Sequence, residues 1–597
     1  MDIDHRGTPF TGALLDQLLT ALTDPSSQHP HLGEADFAEA QFSGDARFIG
    51  AQFFGTAGFV GTQFAADAWF AQVQFSGDTG FGGAEFYGDA WFQARFSGEA
   101  HFSGARFSGE AQFGGAEFSG EVQFSGAKFS GDVWFGGAEF SREAEFSGAE
   151  FSGEAEFGGA RFSGEARFNR TQFCRDARFN HVLFSGGAQF IDAQFASHVR
   201  FADVQFSGDA DFIGAQFPAA ARWGPLVCTG EVNLVGAVFG APVTLEIAAS
   251  GVACMRTRWE STATVQVRHA EVNLSYAVLA APVAVTAHPV PFTTSNDDDV
   301  DESLLTGPDR VRVTSVQGVD AAHLVLTDID LSDCLFSGAF HLDQLRLEGR
   351  TTLAPAPTGF HRRGIGPIRW TRRRTLAEEH HWRAQSAGQP PNPTGAPPEP
   401  RRWRTGPHHP DPARTPDPDD VAALYRQLRK AFEDGKNEPG AADFYYGECE
   451  MRRHDHAGTP KAERRLLWAY WALSGYGLRA SRALGWLAAA MFTTILLLMA
   501  FGLPGSSPRQ EATGTVPAGG GKVTFTIDKQ DPKNPVEDRF TSKRFDKALS
   551  VTLNSVVFRS SGQDLTTAGT YIEMTSRIIE PALLTLAVLA IRGRIKR

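Results

Sequence analysis

Cysteine is scarce. The five present in 597 residues (Cys174, Cys228, Cys254, Cys334, Cys449) are scattered, without metal-ligand spacing. A disulfide framework is excluded, a reducing compartment fits, and most of them read as small buried residues. Positive charge is in deficit: the net charge is −13, which argues against a nucleic-acid-binding surface. There is no nucleophile with its base and orienter, and no metal cluster. Gly519-Gly520-Gly521-Lys522 is followed by Val523 where a phosphate loop needs Ser or Thr. An enzyme is the least supported class, and no cofactor is expected. Asp2, Asp4 and His5 precede any apolar run, so no secretory signal opens the chain. Tyrosine is rare as well, 8 residues against 49 phenylalanines. That imbalance leads to what the chain does contain.

From Phe37 to Phe217, phenylalanine recurs at alternating steps of five and six, through 34 residues. Phe42, Phe48, Phe53 and Phe59 set the beat; Phe129 and Phe135 keep it. A small residue stands two places before almost every one: Ala46, Ala51, Ala57, Thr62. In an extended chain these pairs share one side, and the residue between them faces the other way. Ser-Gly or Gly-Gly follows each Phe and supplies a corner. A unit so short buries its face only by stacking on copies of itself. The expected fold is an all-β solenoid with these phenylalanines as its core. The eleven-residue period leaves two coils open, a four-sided one of 22 residues and a flatter one of 11. Glu99, Glu110, Glu121, Asp132, Glu143, Glu154 and Glu165 recur at the same period and face outward, predicting a ladder of like charge along one edge.

The pattern F-x-G-A-x-F-S-G-E-A-x resembles the pentapeptide-repeat family, whose large central residue and small residue two places earlier fill a right-handed, four-sided β-helix. The sixth residue in alternate units departs from the family pattern. Phe92 to Phe96 is a step of four without its glycine, so a tightened or bulged corner is expected there.

Residues 11–23 place five leucines on one helical face, a cap for the open end of a solenoid. After Ala219 the Phe code fades but the spacing survives, with a less regular part at 246–310. Asp297-Asp298-Asp299 lacks the spacing of a calcium loop, so an excluded loop is favoured over a cation site. Regular repeats return at Leu326, Leu331 and Phe336 and end near Gly349. The stretch 354–418 reads as a Pro/Arg-rich linker. Its arginines between 362 and 404 suit either anionic lipid or solvent. The histidine pairs His380-His381 and His408-His409 lack the geometry of a helical zinc site.

Residues 419–434 form an amphipathic helix, and a helical hairpin and an aromatic interfacial helix follow. Leu484 to Leu503 carries no charge and has the length of a membrane span. A second candidate span lies at 575–591. Arg479, Arg482 and the basic C-terminus predict that the solenoid and both termini face the cytoplasm. Residues 443–450 (D-F-Y-Y-G-E-C-E) and 470–477 (Y-W-A-L-S-G-Y-G) resemble the segment that joins repeats to a membrane domain in bacterial pentapeptide-repeat membrane proteins, which implies the inner membrane of a bacterium. Five parts result: a helical cap (1–32), a solenoid (33–353), a linker (354–418), a helical hairpin with interfacial helix (419–482) and a two-span membrane domain with an external loop (483–597). The order helix, short helix, Gly-containing turn, helix resembles the two-helix potassium-channel pore domain. Gly562-Gln563-Asp564 falls where that family has Gly-Tyr-Gly-Asp.

Three functions follow from these readings. The first is a membrane-anchored, non-conducting scaffold for a protein partner. The second is an ion channel regulated by the solenoid, for which assembly with copies of itself is left open. The third, implied by a soluble branch of the pentapeptide-repeat family, is a DNA-mimicking, gyrase-interacting protein.

Overall fold

The computed structural model describes residues 1–219, 221–305, 310–363, 366–370, 373–389, 402–405, 416–504, 509–515, 518–519, 522–528, 539–557 and 565–595. They form two compact units: residues 1–416 with 423–436, and residues 417–422 with 437–597.

In the first unit each repeat makes a two-residue strand. Ala46–Arg47, Gln52–Phe53, Ala57–Gly58 and Gln63–Phe64 form four successive sides. Each pairs in parallel with the strand one coil on: Ala46 with Ala68, Phe53 with Phe75, Ala57 with Thr79, Phe64 with Phe86. The coil therefore has four sides and 22 residues. The fourth face runs through 13 strands, from Pro9–Phe10 to Val278–Leu279. At about 4.8 Å per rung it is roughly 60 Å long.

All 34 phenylalanines on the beat are at most 2% exposed. Where the next rung also carries a phenylalanine, the two rings lie nearly parallel. Phe42 stacks on Phe64 at 5.0 Å, Phe48 on Phe70 at 5.1 Å, Phe53 on Phe75 at 4.9 Å and Phe59 on Phe81 at 4.8 Å. Across the core the rings meet edge to face, as Phe129 and Phe135 do at 82°. Both arrangements suit the ring quadrupole.

Two kinds of glycine make the corners. Gly104 has φ +67°, and the N–H of Ala105 donates to the carbonyl of Phe102 at 3.0 Å, closing a tight turn. Gly109 instead sits against the previous rung, where a Cβ would lie 2.5 Å from the carbonyl oxygen of Gly88. At the shortened step the N–H of Ala94 donates to Phe92, two residues back rather than three. The corner is tightened as the sequence predicts.

The chain enters the rod earlier than expected. Ile3–Asp4 and Pro9–Phe10 already pair with Ala35–Asp36 and Gln41–Phe42. Helix α1 (Gly12–Ala21) is thus an insertion after two sides of a coil, and residues 1–32 are not a separate cap. Two isolated strand pairs before an insertion leave no repeat for the eye to find.

Residues 246–287 are also more regular than expected. Val238, Arg258 and Val278 pair in register at steps of 20, so the coil contracts by two residues and keeps its sides. Trp223, Cys228, Leu234, Phe239 and Leu245 point inward with Trp259, Val265 and Leu274, all at most 1% exposed. The largest irregularity is an insertion between Val283–Ala287 and Arg312–Ser315, and smaller register shifts lie opposite Ala249 and Gly251 and between Val272 and Asn273. The insertion is not excluded from the rod. Phe292 and Val300 pack on Val227 and Ala248, while Arg268 and His269 clamp Glu302 at 2.6 and 3.0 Å. The acids Asp297, Asp298 and Asp299 stay exposed between those anchors.

Residues 354–389 correct the linker reading. They form an antiparallel pair (Ala354–Pro355 with Arg374–Thr375), a hairpin (Gly359–Arg363 with Gly366–Trp370) and helix α2 (Ala377–Ser386), which meets the end of the rod. Glu378 Oε1 accepts the backbone N–H of Phe336 and that of Ser337, the latter at 3.0 Å. Inside the rod such N–H groups donate to the next rung, as Phe102 does to Gln123. The carboxylate stands where another rung would begin.

Glu379, fully buried, accepts from Arg373, from Arg383 at 2.7 Å and from the Tyr425 hydroxyl at 2.6 Å. Tyr425 comes from helix α3 (Pro418–Asp434). Arg373 and Arg383 are therefore turned inward, and the lipid contact expected of the 362–404 arginines does not apply to these two.

The second unit is helical apart from one antiparallel hairpin, Arg509–Thr515 with Lys522–Asp528. Helices α4 (Glu438–His454) and α5 (Lys461–Ser474) pack through Tyr446, Cys449, Trp471 and Tyr476. Tyr476, expected among interfacial aromatics, is buried and donates to Glu450 at 3.0 Å; Trp468 remains exposed. Helix α6 (Ala480–Leu497) ends in a π turn, Leu498–Gly502. Helices α7 (Ser542–Val557) and α8 (Thr567–Ile595) pack against it. Helix α8 continues through Pro581. Ala480–Gly502 and Thr567–Arg592 are long and apolar enough to cross a membrane.

Candidate interaction surface

The rod's interior is uniform, so any recognition is carried by the side chains that alternate outward. On each face these form columns along the rod, one residue per rung. On the first face the column reads Arg47, Trp69, Trp91, Gln112, Trp134, Glu156, Arg178, set by the parallel register of successive rungs. Trp69 and Trp91 stack at 3.6 Å and 7°. All three tryptophans are half-buried.

The acidic ladder is two ladders. With 22 residues per coil, positions 11 apart lie half a coil apart, on opposite edges. Asp67, Asp89, Glu110, Asp132 and Glu154 border the first face; Asp78, Glu99, Glu121, Glu143 and Glu165 border the third. The expectation of a single charged edge is corrected accordingly. The aspartates also have a structural use. Asp67 accepts the N–H of Asp89 at 3.1 Å, Asp89 that of Glu110 at 2.8 Å, and Asp132 that of Glu154 at 2.8 Å. Each carboxylate thereby ties its edge to the next coil.

Cations are distributed unevenly. On the third face Arg167 pairs with Glu143 and Glu165. On the fourth, Arg106 pairs with Glu85 and Lys128 with Glu150, each at 3.0 Å. On the first, Arg47 pairs with Asp45 at 2.8 Å and Arg178 with Glu154 at 2.9 Å. Among the described residues no cation lies within ion-pair distance of Asp67, Asp89, Glu110 or Asp132.

The residues singled out from sequence fall into two groups. Phe42, Phe48, Phe53, Phe59, Phe129 and Phe135 are core and touch no solvent-facing site. Gly562, Gln563 and Asp564 lie outside the described residues. The Trp69–Trp91–Trp134 column was missed, although its signal is in the sequence: tryptophan before an on-beat Phe, at spacings of 22 and 43.

No curated protein and no solved structure matches the chain. Six overlapping segments between residue 29 and residue 216 match the family described as "Pentapeptide repeats (9 copies)". The regular part of this four-sided rod is a run of pentapeptide repeats.

Proposed function

We propose that this chain is a membrane-tethered scaffold whose pentapeptide-repeat rod presents side-chain columns to a partner protein. One observation carries the reading. A Phe core of constant geometry holds outer columns whose residues change from rung to rung, so the variable chemistry sits on the surface, at about 4.8 Å intervals. The tether rests on the helical unit. Trp486, Phe492, Phe501, Ile578 and Leu589 are exposed on α6, its π turn and α8, while Thr494, Ser555, Ser576 and Glu580 are buried. Thr494 donates to Glu580 at 2.8 Å. Large apolar side chains turned outward, with polar groups buried between the helices, is an arrangement that lipid rewards and water does not. The experiment is affinity capture from membranes with the full chain and with a chain lacking residues 1–353. Partners recovered only with the rod support the scaffold; an identical set from both excludes it.

The channel reading is favoured by one feature: α7 packs against the π turn and α8 through Leu498, Leu503, Ala548 and Val551, giving the long–short–long order of a pore domain. Bilayer recordings, described below, discriminate the two.

A further inference from the structure

The first face of the rod carries three parallel columns over four rungs. The acids Asp67, Asp89, Glu110 and Asp132 form one edge. Trp69, Trp91, Gln112 and Trp134 form the middle. Ala71, Gln93, Gly114 and Gly136 lie beyond, and the two glycines leave a shallow trough beside Gln112 and Trp134. Neither Gly114 nor Gly136 has a positive φ, and a Cβ there would meet its nearest atom at an ordinary 3.5 Å. The coil does not require glycine at these points, so the trough is not a by-product of folding. The buried indole Nε1 of Trp69 has no hydrogen-bond partner.

From this arrangement we infer that the first face binds an arginine-bearing polyproline II segment of a partner protein. The inference rests on the scaffold reading and names the partner's chemistry. Guanidinium groups stack on indole rings and pair with carboxylates, and this face offers both, two residues apart on three of its four rungs. Four acids without a cation in reach supply the charge complementarity. The spacing selects the backbone. Polyproline II advances about 9.3 Å in three residues. Two rungs of the rod span about 9.6 Å, which is the separation of Trp91 and Trp134. Side chains at every third position therefore fall on alternate rungs. Proline suits an aromatic trough, where its fixed backbone loses little entropy.

The test uses the full-length chain in detergent and isothermal titration calorimetry. The probes are twelve-residue peptides of repeating Pro-Pro-Arg, Pro-Pro-Glu and Gly-Ser-Arg. The variant is W91Q/W134Q, chosen because Gln112 already occupies the same column. Pro-Pro-Arg should bind, weaken at least tenfold in W91Q/W134Q, and outbind the other two peptides; the variant's melting temperature should stay unchanged. Equal binding by Gly-Ser-Arg would reduce the effect to charge and overturn the inference. Affinity unchanged by W91Q/W134Q would do the same. So would concentration-dependent self-association of the free protein that the double substitution abolishes, because a second copy would then cover the face. If rod-dependent capture from membranes persists in W91Q/W134Q, the scaffold stands and this inference alone falls.

Discussion

His380 Nδ1 accepts the backbone N–H of Arg404 at 3.1 Å, while its Nε2 lies 2.7 Å from Thr375 Oγ1. The Thr375 hydroxyl already donates to the carbonyl of Ala354 at 2.7 Å. The proton of the imidazole therefore sits on Nε2, and a second proton on Nδ1 would face another donor. Burial pushes His380 down to about 3. Next to it, burial alone would raise Glu379, but Arg373 and Arg383 outweigh it and hold the carboxyl at about 2.

Both groups have folded values below their unfolded ones, about 6.5 for His and 4.3 for Glu. As pH falls, the unfolded chain takes up protons first. Their contribution to stability is complete above about pH 6.5 and is lost progressively toward pH 2. Urea midpoints should fall between pH 6.5 and 4.5 in the wild type and fall less in His380→Gln. Parallel losses in the two proteins would contradict the assignment. Glu379→Ala should cost about 3–5 kcal/mol at pH 7, because it leaves Arg373 and Arg383 buried without their carboxylate.

Phe129 lies between Phe107 and Phe151 at 4.8 and 4.9 Å. Its neighbour Lys128 faces out and pairs with Glu150 in solvent. Phe129→Ala should cost about 3–5 kcal/mol in chemical denaturation. Lys128→Ala should change stability by less than about 0.5 kcal/mol. Similar costs for both would mean that inside and outside were assigned wrongly.

Cys174 is exposed, whereas Cys228, Cys254, Cys334 and Cys449 are buried. Burial pushes the thiols of Cys228 and Cys254 up to about 12. A maleimide reagent at pH 7 should label one thiol quickly in the native protein and five in denaturant, as mass spectrometry would show. Cys174→Ser should remove the fast site; rapid labelling that survives it would place another cysteine at the surface.

Purified full-length protein in planar bilayers should carry no potassium-selective current. A selective filter needs successive backbone carbonyls aimed along an axis, which the pore family builds from Thr-Val-Gly-Tyr-Gly. Here residues 559–564 read Arg-Ser-Ser-Gly-Gln-Asp. One glycine stands in that run, and a cation precedes it. Single-channel openings abolished by altering Gly562 would promote the channel reading over the scaffold. A reporter fused after Arg597 should read as cytoplasmic and one inserted near Gly520 as external; a C-terminus found outside would leave a single span.

The core was legible because its signal is strictly local. The spacing of Ala46 and Phe48 fixes which side is buried, whatever the coil looks like. The surface was not legible in the same way. Glu99 and Glu110 are eleven residues apart and share a repeat position, yet they sit on opposite edges. Neighbours on a face are set by the perimeter of the coil, which the unit length leaves undetermined. Ala377-Glu378-Glu379-His380 reads as an ordinary polar helix start for a related reason. The role of Glu378 depends on Phe336, 42 residues upstream, and nothing near it in sequence announces that partner. The insertion at 288–311 was misread because its exposed acids outnumber Phe292 and Val300, the two side chains that hold it down.

The carboxylate of Glu378 also marks the end of the stack, where it accepts the backbone N–H groups of Phe336 and Ser337. Every rung is a template for the next, and nothing in the repeat itself tells the chain where to stop. Here the last coil meets one side chain that imitates the edge of a storey that is never built. Height and cross-section are then independent properties. Duplicating a single coil, residues 113–134, should add one storey of about 4.8 Å and leave both ends as they are. A rod built this way works as a ruler: the distance between whatever binds low on it and whatever binds high is written in whole coils.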